Sequence, residues 1–519
     1  MDFLTNLSLG FGVAVTPINL LYAFIGCFLG TLIGVLPGLG PTATIAMLLP
    51  PTYAFPPVSA LIMLAGIYYG AQYGGSTTAI LVNLPGEASS VVTTLDGYQM
   101  ARQGLAGPAL STAALSSFFA GSTGVLILAA FATPLTKVAF KFGPAEYFSL
   151  LVLGLIAAVV LASGSLLKAI AMTVLGLLLG LVGTDVNSGV PRFSFSIPEL
   201  TDGIGFVVIA MGVFGYGEII SNLGRKEADR EVFTGKMQGL LPGMQQLKDM
   251  APAVVRGTAV GALLGILPGG GATLASFSAY ALEKKVNMRP GEKAFGKGNI
   301  RGVASPEAAN NAASQTSFIP LLTLGIPPNA VMALMLGAMI IHNIQPGPLV
   351  MTRDPSLFWG LVASMWIGNL ILVILNLPLI WIWIKLLTVP YRYLFPAIVL
   401  FCAIGVYSLS NNVFDIWMLA IFGFAGYLFY KLGCECAPLL LGFILGPMME
   451  EYLRRALLLS EGDWSTFVTR PLSGVLLAAA VLLLLLVLLP AVKKRRQGHF
   501  ARRNCSKESE AGHDDRRPR

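Results

Sequence analysis

The chain has 519 residues, of which 55% are hydrophobic and only 12% are charged. This composition excludes a soluble enzyme and predicts an all-α polytopic membrane protein, because several apolar runs reach the roughly 20 residues that a helix needs to cross a bilayer. The net charge of +8 does not indicate nucleic-acid binding, since the basic residues lie in loops and in the tail from Lys493, as in membrane proteins with cytoplasmic loops. Five cysteines and three histidines form no metal-binding pattern, so we expect no metal and no organic cofactor.

About 11–12 transmembrane segments are expected from the apolar runs. In the first half we predict continuous spans at 58–84, 108–132, 144–163, 165–184 and 204–222. In the second half we predict them at 316–345, 356–385, 395–410, 412–430 and 437–453, followed by a last span at 471–490. Two further apolar segments are interrupted, 17–36 with 42–50 and 253–267 with 272–281.

The two interruptions share one sequence pattern. Gly34–Thr42 reads GVLPGLGPT, and Gly265–Thr273 reads GILPGGGAT, with the same offset in numbering at every matching position. Paired interruptions at corresponding positions of two halves are typical of the substrate site of a secondary transporter. We therefore predict a re-entrant helical hairpin in each half, with Pro-Gly-x-Gly at its tip.

Charge predicts the orientation of these hairpins. Loops 223–256 and 282–301, which flank the second hairpin, are both rich in Lys and Arg, whereas 1–16 and 51–57, which flank the first, contain neither. By the positive-inside rule the second hairpin enters and leaves on the cytoplasmic face and the first on the outer face. The halves are then inverted-topology repeats, although four basic residues fall on the outer side: Lys137, Lys141, Arg454 and Arg455.

This topology divides the chain into five parts. They are a first transmembrane repeat at 1–222, a cytoplasmic linker at 223–252, a second repeat at 253–455, an extra C-terminal transmembrane segment at 456–492 and a basic, disordered cytoplasmic tail at 493–519.

The hairpin tips are the first candidate binding elements. A backbone break at membrane depth leaves N–H and C=O groups that protein, water or ligand must satisfy. A helix restarting there offers free N–H groups and a positive dipole end, which suit a carboxylate, and Thr42 and Thr273 are expected as N-caps. The candidate residues are Pro37, Gly38, Gly40 and Thr42 in the first half, and Pro268, Gly269, Gly270, Gly271 and Thr273 in the second. The alternative is a kink that only lets helices pack. A nucleotide loop is excluded because the tip lacks the Gly-Lys-Ser/Thr ending, so ATP hydrolysis is not expected.

Small polar residues beside Pro breaks form a second candidate group. They are Gly74, Gly75, Ser76, Thr77 and Asn83 in the first half, and Asn310, Asn311, Pro327 and Asn329 in the second. Hydroxyls and amides can bind a carboxylate, and carbonyls freed by a break, near Gly38, Gly269 and Gly325, can coordinate Na⁺. The alternative is that the hydroxyls bond to their own helices. Four acids in apolar regions, Glu146, Glu218, Asp415 and Glu435, lie near span ends and favour interfacial positions.

With these segments in place, the chain resembles the large membrane subunit of the tripartite tricarboxylate transporters, the TctA-type permeases. The matching first-half segments are Gly34–Gly40, Tyr73–Ser76, Asn83–Glu87 and Leu95–Tyr98, and the second-half segments are Gly265–Gly269, Pro306–Ala313 and Pro320–Pro327. The resemblance covers about residues 15–490 and departs locally at Pro328, where members have Gly.

This resemblance implies uptake of tricarboxylates, dicarboxylates or related organic acids across the bacterial inner membrane. It implies two partners, a small four-span membrane subunit and a periplasmic solute-binding protein, and energy from a Na⁺ or H⁺ gradient. It thus implies a transporter rather than an enzyme.

Three other functions remain open from the sequence. An organic-anion symporter that needs no receptor would look similar. An integral membrane enzyme acting on lipid-linked substrates is disfavoured, because the chain has no Asp-rich metal motif and no intramembrane His cluster. A passive channel differs from a transporter only in that it cannot accumulate its substrate.

Overall fold

Helices make up most of the described residues of this protein. A computed structural model describes residues 3–36, 40–139, 141–162, 165–185, 188–217, 219–220, 239–269, 271–286, 292–386 and 391–488. The first-half helices are α1 (Phe3–Ala14), α2 (Pro17–Gly34), α3 (Pro41–Thr52), α4 (Pro57–Val82), α5 (Val91–Met100), α6 (Ala106–Ala139), α7 (Pro144–Leu161), α8 (Leu166–Gly180) and α9 (Phe206–Ala210).

The second half continues this all-helical architecture. Its helices are α10 (Met244–Ile266), α11 (Gly271–Glu283), α12 (Arg301–Thr316), α13 (Phe318–Leu324), α14 (Ala330–Ile341), α15 (Leu349–Arg353), α16 (Pro355–Asn376), α17 (Ile380–Leu386), α18 (Tyr391–Ser410), α19 (Val413–Lys431), α20 (Ala437–Leu459), α21 (Thr466–Thr469) and α22 (Pro471–Leu488). π-helical turns at Ala101–Leu105 and Met211–Tyr216, a 3₁₀ turn at Pro198–Leu200 and one antiparallel strand pair, β1 (Gly183–Thr184) with β2 (Pro191–Arg192), complete the described elements.

Several of these helices are long and apolar enough to cross a membrane. Within the described ranges, five meet this criterion by length and composition: Pro17–Gly34, Val91–Val138, Met244–Ile266, Pro355–Asn376 and Val413–Lys431. The prediction of an all-α membrane protein with many apolar helices is therefore confirmed.

Each of the interrupted segments folds into an antiparallel helical pair. In the first pair, the rings of Tyr22 on α2 and Phe55 just after α3 lie 4.6 Å apart. In the second, Arg256 on α10 donates to Glu283 at the end of α11 at 2.6 Å. The end of the second helix of each pair thus lies beside an earlier turn of the first helix. With 12 and 13 residues, α3 and α11 are only about 18–20 Å long, which is too short to span a bilayer.

Glycines fix how each pair packs on the following long helix. Carbonyl oxygens of the neighbouring helix lie 2.3–2.5 Å from where a Cβ atom would stand, so only glycine fits these contacts. On α2 the contacts to α4 are Gly26 with Met63, Gly30 with Ile67 and Gly34 with Ala71. On α10 the contacts to α12 are Gly257 with Ser305, Gly261 with Ala309 and Gly265 with Ala313. The residue numbers of matching glycines on α2 and α10 differ by the same amount as in the repeated sequence pattern. The residue numbers of their carbonyl partners on α4 and α12 differ by a larger amount, which is also constant.

Two predicted spans differ from the structure. The predicted span 316–345 is wrong, because α13 ends at Leu324 and α14 begins only at Ala330. The helix that packs on α10 is α12. Every residue of α12 is buried, although its sequence is polar. The span 356–385 is likewise split, since α16 ends at Asn376 and α17 starts at Ile380.

The last helices pack on the first half. Ser149 on α7 and Ser473 on α22 are joined by a 2.7 Å hydrogen bond between their Oγ atoms, and Gly176 on α8 lies against the carbonyl of Leu439 on α20. Most of the predicted linker and the whole tail from 493 lie outside the described residues.

Candidate functional site

The first hairpin turn meets the Pro break that follows α4. Asn83 ends α4 in a left-handed conformation, with φ of 57°, and turns the chain back toward the hairpin. Gly86 then approaches so closely that a Cβ atom there would stand 2.3 Å from the carbonyl oxygen of Gly34. The N–H of Gly86 donates to the carbonyl of Gly75 at 3.4 Å. The break is therefore held against both the hairpin and α4.

The second hairpin turn meets the break between α13 and α14 in a similar way. Gly325 ends α13 with φ of 72°, and the N–H of Gly269 at the turn donates to the carbonyl of Pro328 at 2.7 Å. Asn329 caps α14, because its Oδ1 accepts from the N–H of Met332 at 2.9 Å. The departure at Pro328 removes a backbone N–H but leaves unchanged the carbonyl that holds the hairpin turn, since every residue has one.

The two breaks occupy matching positions. Asn83 and Gly325 both have positive φ, and they are related by the same offset as the carbonyl partners of the packing glycines. By this offset Pro85 corresponds to Pro327, and Glu87 corresponds to Asn329. The same difference in residue number pairs Gln72 with Ser314. The second-half counterpart of the Tyr73–Thr78 segment is therefore the segment that follows Ser314, and not the one that contains Glu307.

A buried carboxylate links the two halves. Glu307 on α12 is 1% exposed, and its Oε2 accepts from Ser76 Oγ on α4 at 2.7 Å, while Oε1 accepts from Thr93 Oγ1 on α5. Asn311, one turn further along α12, donates from Nδ2 to Ser117 Oγ on α6 at 2.7 Å. Helices from both halves thus converge on one polar cluster.

A second carboxylate, Glu87 in the first break, lies beside this cluster. It accepts from Ser89 Oγ and from Asn310 Nδ2 on α12, the latter at 3.2 Å. Ser89 also contacts the amide of Gln72 at 3.0 Å. The first break is therefore fixed to α12 by polar contacts rather than by apolar packing.

These carboxylates have only neutral partners. Among the described residues, no Lys, Arg or His forms an ion pair with Glu87 or Glu307. A buried charge without a compensating partner is unfavourable by several kcal/mol. The two carboxylates at the junction of the two halves therefore lack a compensating positive charge among the described residues.

Asp96 on α5 is a buried acid with a structural role. Its Oδ1 accepts the N–H groups of Gly296, Gly298 and Asn299 at 2.8–2.9 Å, and its Oδ2 accepts from Tyr280 at 2.9 Å. These bonds hold the loop before α12 in place. They thereby help to fix the position of Glu307 on that helix.

The hairpin-tip candidates fall into two groups. Pro37, Gly38 and Gly270 lie outside the described residues. Gly40 is the N-cap of α3, and Gly271 begins α11 with φ of 54°. Thr42 and Thr273 lie within the first turns of these helices, so the expectation that they are N-caps is wrong. Pro268 and Gly269 form the second turn, where both are partly exposed.

The other candidates have mixed positions. Ser76, Asn310 and Asn311 belong to the polar cluster, and Thr77 lines a cavity next to it. Gly74 packs α4 on α2, with a Cβ position 2.5 Å from the carbonyl of Thr31, and Gly75 lies under Glu87. Asn83 is exposed at its turn, and Pro327 and Asn329 form the second break. Gly74 therefore has a packing role. The side chains of the polar cluster make hydrogen bonds between helices.

Sequence reasoning missed the acids that matter here. Glu146 is buried, caps α7 by accepting from the N–H of Gly143 and pairs with Arg470 at 2.6 Å, and Glu218 lies outside the described residues. Glu87 and Glu307 are not among the acids that the sequence predicts, because both stand in polar segments outside the apolar runs. Their signal was an acid beside a Pro, in Pro85-Gly86-Glu87 and Pro306-Glu307.

A family model decides the classification. Residues 20–441 match the model of the tripartite tricarboxylate transporter TctA family, which is most of the chain and includes both hairpins and both breaks. The chain belongs to the TctA family. It is therefore a multi-pass protein of a transporter family, which confirms the resemblance seen in the sequence.

Two curated proteins of Agrobacterium vitis are similar to this TctA-family chain. One, named an uncharacterized 52.8 kDa protein in the TAR-I ttuC' 3' region, is 60% identical over 478 residues, covering 92% of this chain and 95% of that protein. The other, an uncharacterized protein in the TAR-II ttuC' 3' region, is 61% identical over 217 residues, covering 42% of this chain and 89% of that protein. No solved structure matches the chain.

Proposed function

We propose that this chain is the permease subunit of a tripartite secondary active transporter of the bacterial inner membrane. It takes up tricarboxylates or related organic acids, delivered by a periplasmic solute-binding protein, and works with a small four-span membrane subunit. A Na⁺ or proton gradient supplies the energy. Membership of the TctA family supports this proposal, and the neutral surroundings of Glu87 and Glu307 agree with ion coupling.

The substrate carboxylates bind where the hairpin turns meet the breaks. The observation that carries this part is Asn329. Its Oδ1 is used in capping α14, so its Nδ2 faces the other way, is buried and has no partner among the described residues. Its Cβ lies beside Gly271, the first residue of α11, at 3.8 Å from the Cβ position there. A free amide donor next to a helix N-terminus is a suitable carboxylate site.

The transport cycle moves the two hairpins together against the remaining helices. In this proposal the hairpins are re-entrant, the first from the outer face and the second from the cytoplasmic face, so that 1–222 and 253–455 are inverted repeats. The short α3 and α11 and the matching glycine contacts of both halves support this arrangement. Alternating access then exposes the same site to each side in turn.

Reconstitution with and without the partners tests the proposed function. Proteoliposomes containing this chain and the small subunit would be assayed with labelled citrate, tartrate, dicarboxylates and an aromatic acid, with receptor added or omitted, under an imposed Na⁺ or proton gradient. We expect uptake of one class of acid that requires both receptor and gradient. Uptake that is equally fast without receptor would favour the alternative, a receptor-independent organic-anion symporter, and uptake that only equilibrates would favour a channel.

A further inference from the structure

A small cavity lies beside Glu307, between helices of both halves. It is about 10 Å³ in size, enough for one water-sized particle. The helices that form it are α4, α6, α12 and α16. Its oxygen-bearing side chains are Tyr73, Ser76, Thr77, Ser117, Glu307 and Asn376.

Two of these oxygens are unsatisfied. Tyr73 and Asn376 are each 4% exposed, and the Tyr73 hydroxyl and the Asn376 Oδ1 have no hydrogen-bond partner among the described residues. The amide nitrogen of Asn376 donates to the carbonyl of Leu372 at 2.9 Å, so its oxygen is the atom left for the cavity. A buried polar atom without a partner calls for an explanation, such as a bound water or ion, and these two residues line the same cavity.

We propose that this cavity is a Na⁺ site, with Glu307 as its single anionic ligand and neutral oxygens completing the shell. Glu307 accepts hydrogen bonds from Ser76, Thr93 and Ser117, and its two oxygens still keep a lone pair for a cation. One negative charge among neutral oxygens balances a monovalent ion, whereas a divalent ion would leave a buried excess of positive charge.

A proton or a water molecule alone fits the observations less well. A proton on Glu307 would neutralise its charge but leave the oxygens of Tyr73 and Asn376 without partners. A water molecule would satisfy these oxygens but leave the carboxylate uncompensated. A dehydrated Na⁺ ion does both. This inference rests on the proposed function, for which it names Na⁺ as the coupling ion and places it between α4, α6, α12 and α16.

Direct binding of ²²Na⁺ tests the site without any transport step. The full chain, purified with its small subunit in detergent, would be titrated with NaCl at constant ionic strength in choline chloride. We expect saturable binding, abolished by Glu307→Gln and weakened at least about tenfold by Tyr73→Phe and by Asn376→Ala, since each removes one ligand oxygen.

The chain provides a matched control for each ligand. Tyr69→Phe removes another buried hydroxyl without a partner, one turn earlier on α4, and Asn369→Ala removes a second buried amide of α16 whose Nδ2 also bonds four residues back, to Met365. Neither residue lines the cavity, so both variants should bind Na⁺ like the original chain. Size-exclusion elution reports whether Glu307→Gln lowers the folded yield. If it does, Tyr73→Phe and Tyr69→Phe still test the site.

Three results overturn the inference: no saturable ²²Na⁺ binding by the original chain, equal affinity in Tyr73→Phe and the original chain, or equal losses in Tyr73→Phe and Tyr69→Phe. Failure of the proposed function looks different. Na⁺ binding with the expected variant pattern but no uptake of any acid would retain the site and reject the transporter assignment. Proton-driven uptake without Na⁺ binding would reject the site and retain the transporter assignment.

Discussion

The N–H of Gly269 donates to the carbonyl oxygen of Pro328 at 2.7 Å, which joins the second hairpin turn directly to the break that leads into α14. In the first half, Gly86 makes the corresponding close approach to the carbonyl of Gly34. Both turns are thus supported by the chain that follows the long helix of the same half. A substrate bound at either junction would contact two segments that are far apart in sequence.

A negative charge at the second junction should weaken substrate binding. Asn329→Asp keeps an oxygen that can cap α14, but places a carboxylate where the substrate carboxylate is proposed to bind. Repulsion of about 1–4 kcal/mol at 4 Å corresponds to a KM for uptake raised about fivefold or more. Initial rates across a range of substrate concentrations would measure this effect.

Asn412→Asp is the control for that substitution. Asn412 caps α19 in the same manner, with Oδ1 accepting from the N–H of Phe414 at 2.9 Å. This variant should leave the KM unchanged. An unchanged KM in Asn329→Asp as well would place the substrate elsewhere.

The glycine contacts predict two destabilising substitutions. A Cβ atom at Gly30 would lie 2.4 Å from the carbonyl oxygen of Ile67, and one at Gly261 would lie 2.3 Å from that of Ala309. Gly30→Ala and Gly261→Ala should each destabilise the fold by about 1–3 kcal/mol, because the backbones must move apart. The measurement is the apparent midpoint of thermal unfolding in detergent. Gly12→Ala, where a Cβ meets nothing within 4 Å, should show no loss, and equal midpoints in all three variants would refute the close packing.

A buried ion-pair cluster holds the end of the second hairpin. Glu283, 0% exposed, accepts from Arg256 at 2.6 Å and from Arg301 at 2.7 Å, and Arg301 is itself 3% exposed. Glu283→Gln should destabilise the protein by about 1.5–3 kcal/mol, because both arginines lose a charged hydrogen-bond partner while Arg301 keeps Glu292 at 2.8 Å. The folded yield and the unfolding midpoint would report this.

The exposed pair of Glu451 and Arg455 is the comparison for Glu283. Its side chains are 52% and 59% exposed, so Glu451→Gln should change stability by no more than about 1 kcal/mol. If Glu283→Gln is as mild as Glu451→Gln, the cluster does not hold the hairpin.

Opposite entry of the two hairpins is testable by labelling. Ala54, after α3, and Lys285, after α11, are both exposed. In a background without native cysteines, a membrane-impermeant maleimide should label Ala54→Cys in cells whose outer membrane alone is permeabilised, and Lys285→Cys only after the inner membrane is opened. Labelling of both positions from the same side would rule out inverted repeats.

The sequence was sufficient for the family and for the helical pairs, because Gly34–Thr42 and Gly265–Thr273 repeat at a fixed spacing and glycine has few substitutes at such close contacts. It was not sufficient for α12. Hydropathy identifies helices that face lipid, and α12 is polar and buried on all sides, so Glu307 fell outside every predicted span.

The polar cluster depends on tertiary contacts that no local pattern contains. Glu307 receives hydrogen bonds from Ser76 and Thr93, which lie in the other half of the chain. Asn376 likewise lies within an apolar run, where a single amide changes the hydropathy pattern little. Such partners emerge only when α4, α5, α12 and α16 are placed side by side.

Accumulation of a labelled organic acid in proteoliposomes tests the central claim most directly. With this chain, its small subunit and its receptor present, an inward Na⁺ gradient should raise the internal concentration above the external one, and collapsing the gradient with a Na⁺ ionophore should return the two to equality. Internal acid that never exceeds the external concentration under either a Na⁺ or a proton gradient would contradict the claim that this protein is a secondary active transporter.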